Sequence, residues 1–292
     1  MPQKITVRLP SPEGVAAGST ATFRIPTGRR IHELFLQFKK EDQTVNDFTE
    51  IRLYINSQLF QRFSGLERDN LNKVDSAQGA NTYGVLSIPF DRKKLLTLAG
   101  AEMTALNTGV ADENGVSIKS MYMEVDLKSD ATIVPSDLKL SSLESDPIFV
   151  DSAGKAYGAG IIPFIRREIR NVAGADSDFQ ISDLVNPGVN SPDKISLTRV
   201  SFIPSSNANI NGLKIDRNQY TIFDRSLALN NHLLTDGVRW PRDKWFTMDT
   251  TEKGHGGELV QLFGMTDFRY RLDVSAACSI TCISEYFGAL TA

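Results

Sequence analysis

The chain has 292 residues, more than a usual single-domain core, so one large or two medium domains are expected. Its 41% hydrophobic and 23% charged content is ordinary for a soluble globular protein. The net charge of −3, from 32 basic and 35 acidic residues, argues against a protein that coats nucleic acid. No apolar run approaches the length of a transmembrane helix, and the N-terminus lacks the apolar core of a secretory signal, so we expect synthesis in the cytoplasm.

Short strands separated by turns are predicted over the first 130 residues. They lie at 4–9, 21–25, 31–38, 51–55, 59–63, 84–90 and 117–127. The last of them alternates most clearly, and its predicted core residues are Met121, Met123, Val125 and Leu127. The polar Asn56-Ser57-Gln58 between two of the strands predicts a hairpin.

Two helices are predicted in the same region. The segment 66–74 is short and amphipathic. The segment 92–106 carries leucines close to the i, i+3, i+4, i+7 spacing, with Asp91 as its predicted N-cap.

The composition changes between residues 129 and 175, where Ser, Asp, Gly and Pro are frequent. This segment predicts an extended connection between two domains. Its end, 163–174, is basic and amphipathic, with Phe164, Ile165, Ile169 and Val172 as the apolar side. A membrane-surface role is one interpretation of this end, but we favour docking against the protein's own domain.

The second half returns to short strands. They are predicted at 179–184, 195–203, 213–215, 220–223, 245–248, 259–263, 268–274 and 277–287, with a helix at 227–234. Many short strands indicate a sandwich rather than βαβ units. We therefore predict an all-β chain of two tandem eight-stranded jelly-roll β-sandwiches, a double jelly roll with short helices in its loops. The predicted domains are 1–130 and 176–292, with 131–175 as the connecting segment.

A repeated module supports two similar halves. Residues 48–71 and 210–233 both contain an alternating run, a polar turn, a second short run and a stretch at helical spacing. The predicted alignment matches Leu53, Ile55, Leu59, Phe60, Phe63, Asn70 and Leu71 with Leu213, Ile215, Tyr220, Ile222, Phe223, Asn231 and Leu233.

No motif for a nucleophile elbow, a zincin, a phosphate loop or a dinucleotide site occurs in the sequence. His32 is followed by Glu33 and His232 lies in a polar helix, but neither has a nearby Ser or Cys in a recognisable nucleophile context. Glycosidase chemistry would need two opposed carboxyl groups in a sugar cleft. The candidates are Glu50, Glu67, Asp69, Asp91, Asp216, Asp249, Glu252 and Asp267. We assign no catalytic or cofactor-binding residue and do not expect an enzyme.

Thiol and metal sites are equally weak. Cys278 and Cys282 lie on one face of a predicted strand, roughly 13 Å apart, too far for a disulfide. We expect two buried thiols. The segment 111–115, ADENG, brings oxygen ligands together but lacks the spacing of a calcium loop, so an acidic turn is favoured and metal ligands stay unassigned. Trp240 and Trp245 resemble an exposed aromatic platform.

The stretches 14–38 and 48–71 carry a family resemblance. They contain a VAAG segment, a strand ending in a P-x-G turn, a long apolar strand, and a further strand that ends in a polar turn. This pattern resembles the N-terminal half of the major capsid protein of tailless, internal-membrane bacteriophages of the corticovirus type. The linker is also similar, with Leu138-Lys139-Leu140, Arg166-Arg167 and Ile181-Ser182-Asp183-Leu184 before a proline.

The resemblance implies a double jelly roll whose homotrimers have pseudo-sixfold symmetry and tile an icosahedral shell around an internal lipid membrane and genome. It implies contacts with neighbouring capsomers, minor vertex proteins and membrane-associated virion proteins, without sequence-specific nucleic-acid binding. The protein would be made in the host cytoplasm and reside in the virion. Structural calcium is compatible with the resemblance, although no ligand maps onto this chain. The alternative is a β-sandwich carbohydrate-binding or adhesin-like module, with Trp240 and Trp245 as its first candidate residues.

Overall fold

The computed structural model describes residues 3–92, 95–111, 116–147, 161–184, 196–205, 208–254, 259–262 and 264–289. The chain divides into two compact units. Residues up to Phe164, with Ala289, form the first, and Ile165–Gly288 form the second, so the boundary falls near the start of the strand Ile162–Val172. No described helix is both long and apolar enough to cross a membrane.

The first unit is a sandwich of two antiparallel sheets. Its described strands are β1 (Ile5–Arg8), β2 (Thr20–Ile25), β3 (Arg30–Gln37), β4 (Phe48–Ile55), β5 (Gln58–Phe63), β6 (Val85–Pro89), β7 (Leu106–Asn107), β8 (Met121–Leu127) and β9 (Lys139–Ser145). One sheet has the order β1-β9-β3-β6, with β7 paired to β3, and the other contains β2-β8-β4-β5. The predicted core residues of β8 are all buried, which confirms the alternation expected there.

The second unit has the same two layers. Its strands are β10 (Ile162–Val172), β11 (Asp176–Ile181), β12 (Ser196–Pro204), β13 (Ile210–Arg217), β14 (Tyr220–Ser226), β15 (Phe246–Asp249), β16 (Val260–Gln261), β17 (Phe268–Val274) and β18 (Cys278–Gly288). One sheet contains β15-β12-β18-β10, with β16 paired to β12, and the other is β11-β17-β13-β14.

The order of the strands is identical in the two units. If the eight longer strands of each unit are numbered along the chain, one sheet reads 1-8-3-6 and the other 2-7-4-5 in both cases. The two-residue strands β7 and β16 also match, because each follows the sixth longer strand and pairs with the third. Two antiparallel sheets of four strands linked in this way form a jelly roll. The predicted pair of eight-stranded jelly rolls is confirmed.

Short helices occupy the loops. They are α1 (Gly65–Val74), α2 (Ala80–Tyr83), α3 (Leu98–Glu102) and α4 (Leu227–Leu234), with 3₁₀ turns at Val45–Asp47 and Glu252–Gly254. The helices predicted at 66–74 and 227–234 are confirmed.

The helix predicted over 92–106 is wrong. Among the described residues of this segment only α3 is helical, and its N-cap is Thr97, whose hydroxyl accepts a hydrogen bond from Gly100 N. Leu96 and Leu98 are exposed, so their helical spacing does not mark a buried face. Asp91 is not a cap and instead contacts a histidine in the core.

The predicted connection at 131–175 also needs correction. Its residues 139–145 form β9, which pairs with both β1 and β3 inside the first unit. The serines that suggested a loop are buried strand residues, among them Ser141, Ser142 and Ser145. The basic segment 163–174 lies mostly in β10, where Ile165 and Val172 are buried but Ile169 is exposed. Residues 148–160 lie outside the described part of the chain.

The repeated module corresponds to two equivalent hairpins, β4-β5 and β13-β14. Each turns through two residues with positive φ, Asn56-Ser57 (49° and 66°) and Asn218-Gln219 (48° and 70°), as a type I′ turn requires. Each hairpin then has a register shift that leaves one extra residue on the second strand, Phe60 in β5 and Ile222 in β14.

A serine N-cap ends each hairpin. Ser64 caps α1 and Ser226 caps α4, with the same number of residues after the turn. The predicted match of Phe60 with Ile222 is therefore right, but the match of Leu53 with Leu213 is two residues out of register. A strand pattern with period two stays in phase after such a shift, so alternation alone does not detect it.

Candidate functional site

A buried polar cluster in the first unit surrounds His32. The imidazole is fully buried, at a register shift of β3 against β9. Its Nδ1 lies 2.9 Å from an Asp91 oxygen, and its Nε2 lies 2.8 Å from Ser145 Oγ. An ionised carboxylate only accepts hydrogen bonds, so we assign the Nδ1 proton to the bond with Asp91 and let the Ser145 hydroxyl donate to Nε2.

This order of groups is the one found in Ser-His-Asp hydrolases. However, Ser145 is as deeply buried as His32, so the hydroxyl is closed to a substrate from solvent. Ser145 ends β9 and Asp91 follows β6, and His32 therefore fastens two strand ends to β3. Sequence reasoning left His32 without a nucleophile partner because Ser145 lies 113 residues further along the chain.

The same cluster contains a possible set of metal ligands. One ligand atom each from His32, Asp91 and Glu102 lies within 4.8 Å of the others. The Lys4 ammonium already bridges two of them, 3.2 Å from Asp91 Oδ2 and 2.6 Å from Glu102 Oε1. Calcium prefers an all-oxygen shell, so an imidazole beside a bridging ammonium does not fit it. The acidic turn at 111–115, the other candidate, lies mostly outside the described residues.

The second unit has an ionic cluster at a similar corner, centred on Asp249 at the end of β15. Asp249 Oδ2 lies 2.8 Å from Arg199 Nη2 and 3.1 Å from Arg239 Nε. Thr251 donates its backbone N–H and its hydroxyl to Oδ1 at 2.8 and 2.7 Å. Burial alone would raise the pKa of Asp249, but the two guanidinium groups outweigh it and hold the pKa at about 2.

Asp91 and Asp249 are not strictly equivalent residues. Asp249 faces Arg199 across the β12-β15 pair, and the corresponding pair in the first unit is Glu33 with Pro89. Asp91 therefore lies two residues beyond the position of Asp249. Both carboxylates nevertheless hold the loop after the sixth strand to the third strand, a structural task.

The other carboxylates proposed for glycosidase chemistry have structural partners. Glu50 pairs with Arg52 and Arg62, Glu252 with Arg225, Asp216 with Arg271, and Asp267 with Arg269. Glu67 accepts from Ser64 N in a capping box, and Asp69 pairs with Lys73. These contacts are those of ion pairs and helix caps, not of a pair of carboxyl groups facing each other across a sugar.

The aromatic platform predicted from Trp240 and Trp245 is wrong. Trp240 is 52% exposed, but Trp245 is only 7% exposed and belongs to the core. The prediction of two buried thiols is right for Cys282 alone, since Cys278 is partly exposed. Burial raises the pKa of the Cys282 thiol to about 12, which makes it a poor nucleophile.

The 2-7-4-5 sheets carry charge networks among their described residues. In the first unit Arg52 reaches Glu50, Glu124 and Asp126 at 2.8, 3.1 and 2.7 Å. In the second unit Lys214 pairs with Asp224 at 3.2 Å. Such networks suit a sheet face that meets water or a polar partner.

Two family models match the chain and together cover most of it. The model described as viral coat protein P2 N-terminal domain matches residues 6–144, and the model described as viral coat protein P2 C-terminal domain matches residues 162–290. A comparison with curated protein sequences gives no match.

Several solved structures share the fold. The crystal structure of the major capsid protein P2 from bacteriophage PM2 has a TM-score of 0.79 and 18% identity, covering 99% of this chain and 98% of that one. The atomic structure of Sulfolobus Turreted Icosahedral Virus gives 0.67 and 10%, covering 98% and 90%. A quasi-atomic model of the PBCV-1 virus capsid gives 0.60 and 8%, covering 99% and 95%. At these identities the structures establish the fold alone.

Proposed function

This chain belongs to the viral coat protein P2 family, and we propose that three copies of it form a pseudo-sixfold capsomer of an icosahedral shell. The family is a structural coat protein, which confirms that the chain is a capsid component of a virion and not an enzyme. The resemblance to viral capsid proteins stated from residues 14–38 and 48–71 is confirmed by the same matches.

The identical strand order of the two units carries the proposal. One chain supplies two sandwiches with the same sheets, so three chains supply six similar walls around a threefold axis. Six similar walls pack hexagonally, and cyclic symmetry closes the ring without further subunits. A cleft between dissimilar domains, the usual reason for two domains in an enzyme, is not needed.

The proposal includes further partners. Neighbouring capsomers, minor vertex proteins, membrane-associated virion proteins and an internal lipid membrane would surround the capsomer, after synthesis in the host cytoplasm. The net charge of −3 supports a shell that encloses a genome without coating it. The His32 cluster does not fit calcium. Structural calcium at contacts between copies stays a prediction.

The test is the size and shape of the purified full-length protein. Native mass spectrometry should give three 32.3-kDa chains, and negative-stain microscopy should show particles with a hexagonal outline. A monomer that persists at high protein concentration and binds glycans would contradict the proposal. Trp240→Ala would then identify the glycan site, because Trp240 is the exposed member of the tryptophan pair.

A further inference from the structure

Two longer strands of the described structure bury none of their residues. Among the described strands of four or more residues, only β1 and β14 lack a buried position. Both contain apolar side chains: Ile5 is exposed and Val7 half-buried in β1, and Tyr220 and Ile222 are exposed in β14. Each strand is at the edge of its sheet, paired on one side only within the described residues, β1 with β9 and β14 with β13.

The counterparts of these two strands are buried. β14 is the fifth longer strand of the second unit, and β5 is the fifth of the first. Phe60 of β5 is 1% exposed, whereas Ile222, at the matching register shift of β14, is 43% exposed. Similarly, β1 and β10 are the first strands of their units, and β10 buries Ile162, Ile165 and Val172. The two unburied strands are thus one first strand and one fifth strand.

The first unit shows what covers a fifth strand. Gln61 of β5 donates from Nε2 to the carbonyl oxygen of Pro163 at 2.9 Å, and the segment 162–164 belongs to the same compact unit. That segment is the beginning of β10, a first strand. A fifth strand is therefore covered by the start of a first strand. β14 is a fifth strand without such a cover among the described residues. β1 is a first strand that covers no fifth strand among them.

We propose that the edge of β14 in one copy of the chain lies against β1 of the next copy. The inference rests on the proposed function, since the contact is head to tail and closes when three copies complete the ring. It repeats between copies the arrangement that Gln61 and Pro163 show within one copy. Exposed edge strands readily accept another strand, because their outer N–H and C=O groups are unpaired. The exposed charges of the two strands are also opposite, with Arg8 on β1 and, on β14, Asp224, which also pairs with Lys214 of β13.

Thiol cross-linking of the purified full-length protein tests the contact. The partly exposed Cys278 is first replaced by serine, while Cys282 stays because it is buried. The test variant carries Thr6→Cys in β1 and Ile222→Cys in β14, and a short bis-maleimide joins neighbouring thiols. The control variant carries Thr6→Cys and Gln180→Cys, since β11 is the opposite edge of the same sheet as β14 and Gln180 is exposed.

The expected result is a covalent ladder ending at three chains on a denaturing gel for the test variant, with single chains for the control. Each single-cysteine variant should stay uncross-linked, whereas dimers from Ile222→Cys alone would indicate a symmetric β14 contact and overturn the proposal. A native trimer that cross-links through Gln180 but not Ile222 would overturn it while leaving the proposed function standing. A protein that stays monomeric in native mass spectrometry would overturn both.

Discussion

The hairpins β4-β5 and β13-β14 have the same turn, the same register shift and the same serine cap, yet their second strands differ in exposure. The turn, the register shift and the capping serine of the first hairpin all recur in the second, so these local features do not explain the difference. What differs is the surroundings: β5 is covered by residues 162–164, and β14 has no described cover. The two halves of this coat protein therefore differ in the exposure of a strand that contacts between copies would cover, although the fold of the two hairpins is the same.

The largest expected difference in unfolding free energy is between variants of Phe60 and Ile222, the extra residues at the register shifts of the two hairpins. Phe60→Ala removes a buried ring that lies 6.1 Å from the Phe90 ring, and should lower the free energy of unfolding by about 3–5 kcal/mol. Ile222→Ala should lower it by less than about 0.5 kcal/mol, because the side chain is exposed in the single chain. Urea unfolding at concentrations too low for assembly measures both. Equal losses would mean that β14 is covered within its own chain.

An alternative explanation for the exposure of β14 is a second unit of low stability. The ion cluster of Asp249 allows that explanation to be tested. Its pKa is about 2 in the folded protein against 3.8 when unfolded, so its contribution is fully present above pH 3.8 and is lost as the pH falls through about 2. This difference corresponds to roughly 2 kcal/mol of unfolding free energy.

Denaturant unfolding at a series of pH values from 6 to 2 should show this decline. Asp249→Asn should make the decline below pH 4 shallower and destabilise the protein at pH 6, because Arg199 and Arg239 lose their shared anion. An unchanged pH profile in the variant would show that the cluster does not anchor the second unit.

The turn asparagines should respond equally in both units. Asn56→Ala and Asn218→Ala each place alanine at positive φ and remove the side-chain oxygen that accepts backbone N–H groups, from Lys119 and Ser120 in one unit and from Thr266 and Asp267 in the other. We expect losses of about 1–2 kcal/mol in each case, measured by urea unfolding. A large loss at only one turn would mean that the hairpins are not equivalent.

The smallest effects are those at the helix caps. Ser64→Ala and Ser226→Ala should each cost about 1 kcal/mol of unfolding free energy. The loss should be somewhat larger for Ser64, whose capping box also includes Glu67, than for Ser226, which has Leu229 at the corresponding position. Thermal unfolding of both variants gives the comparison, and a larger loss at Ser226 would contradict it.

Much of the fold was predictable because strand alternation and turn residues are local. The strands around Met123, the helix at 227–234 and the duplicated hairpin all follow from short-range patterns. β9 was missed because its buried serines satisfy their hydrogen bonds inside the protein and look like loop residues in sequence. The helix predicted at 92–106 was too long, because helical spacing of leucines does not show whether a hydrophobic core is present for them to pack against.

The sites were less predictable, because they join distant parts of the chain. His32 meets Asp91 and Ser145 only after three strands have assembled. Similarly, Tyr220 and Ile222 have the alternation of core residues, and sequence alone does not show that their surroundings come from outside the single chain. The predicted glycan platform of Trp240 and Trp245 was wrong because Trp245, which sequence alone suggested to be exposed, is buried in the core.

The most direct measurement is the mass of an edge variant in solution. Ile222→Asp should reduce the three-chain species to single chains in sedimentation equilibrium without lowering the unfolding free energy of the single chain. The matched control is Ile169→Asp, at an isoleucine that is 50% exposed on β10 against 43% for Ile222, and it should remain a trimer. If wild type and both variants all sediment as three chains, β14 is not the edge that closes the ring. If wild type itself sediments as one chain, the account of a trimeric coat subunit is contradicted.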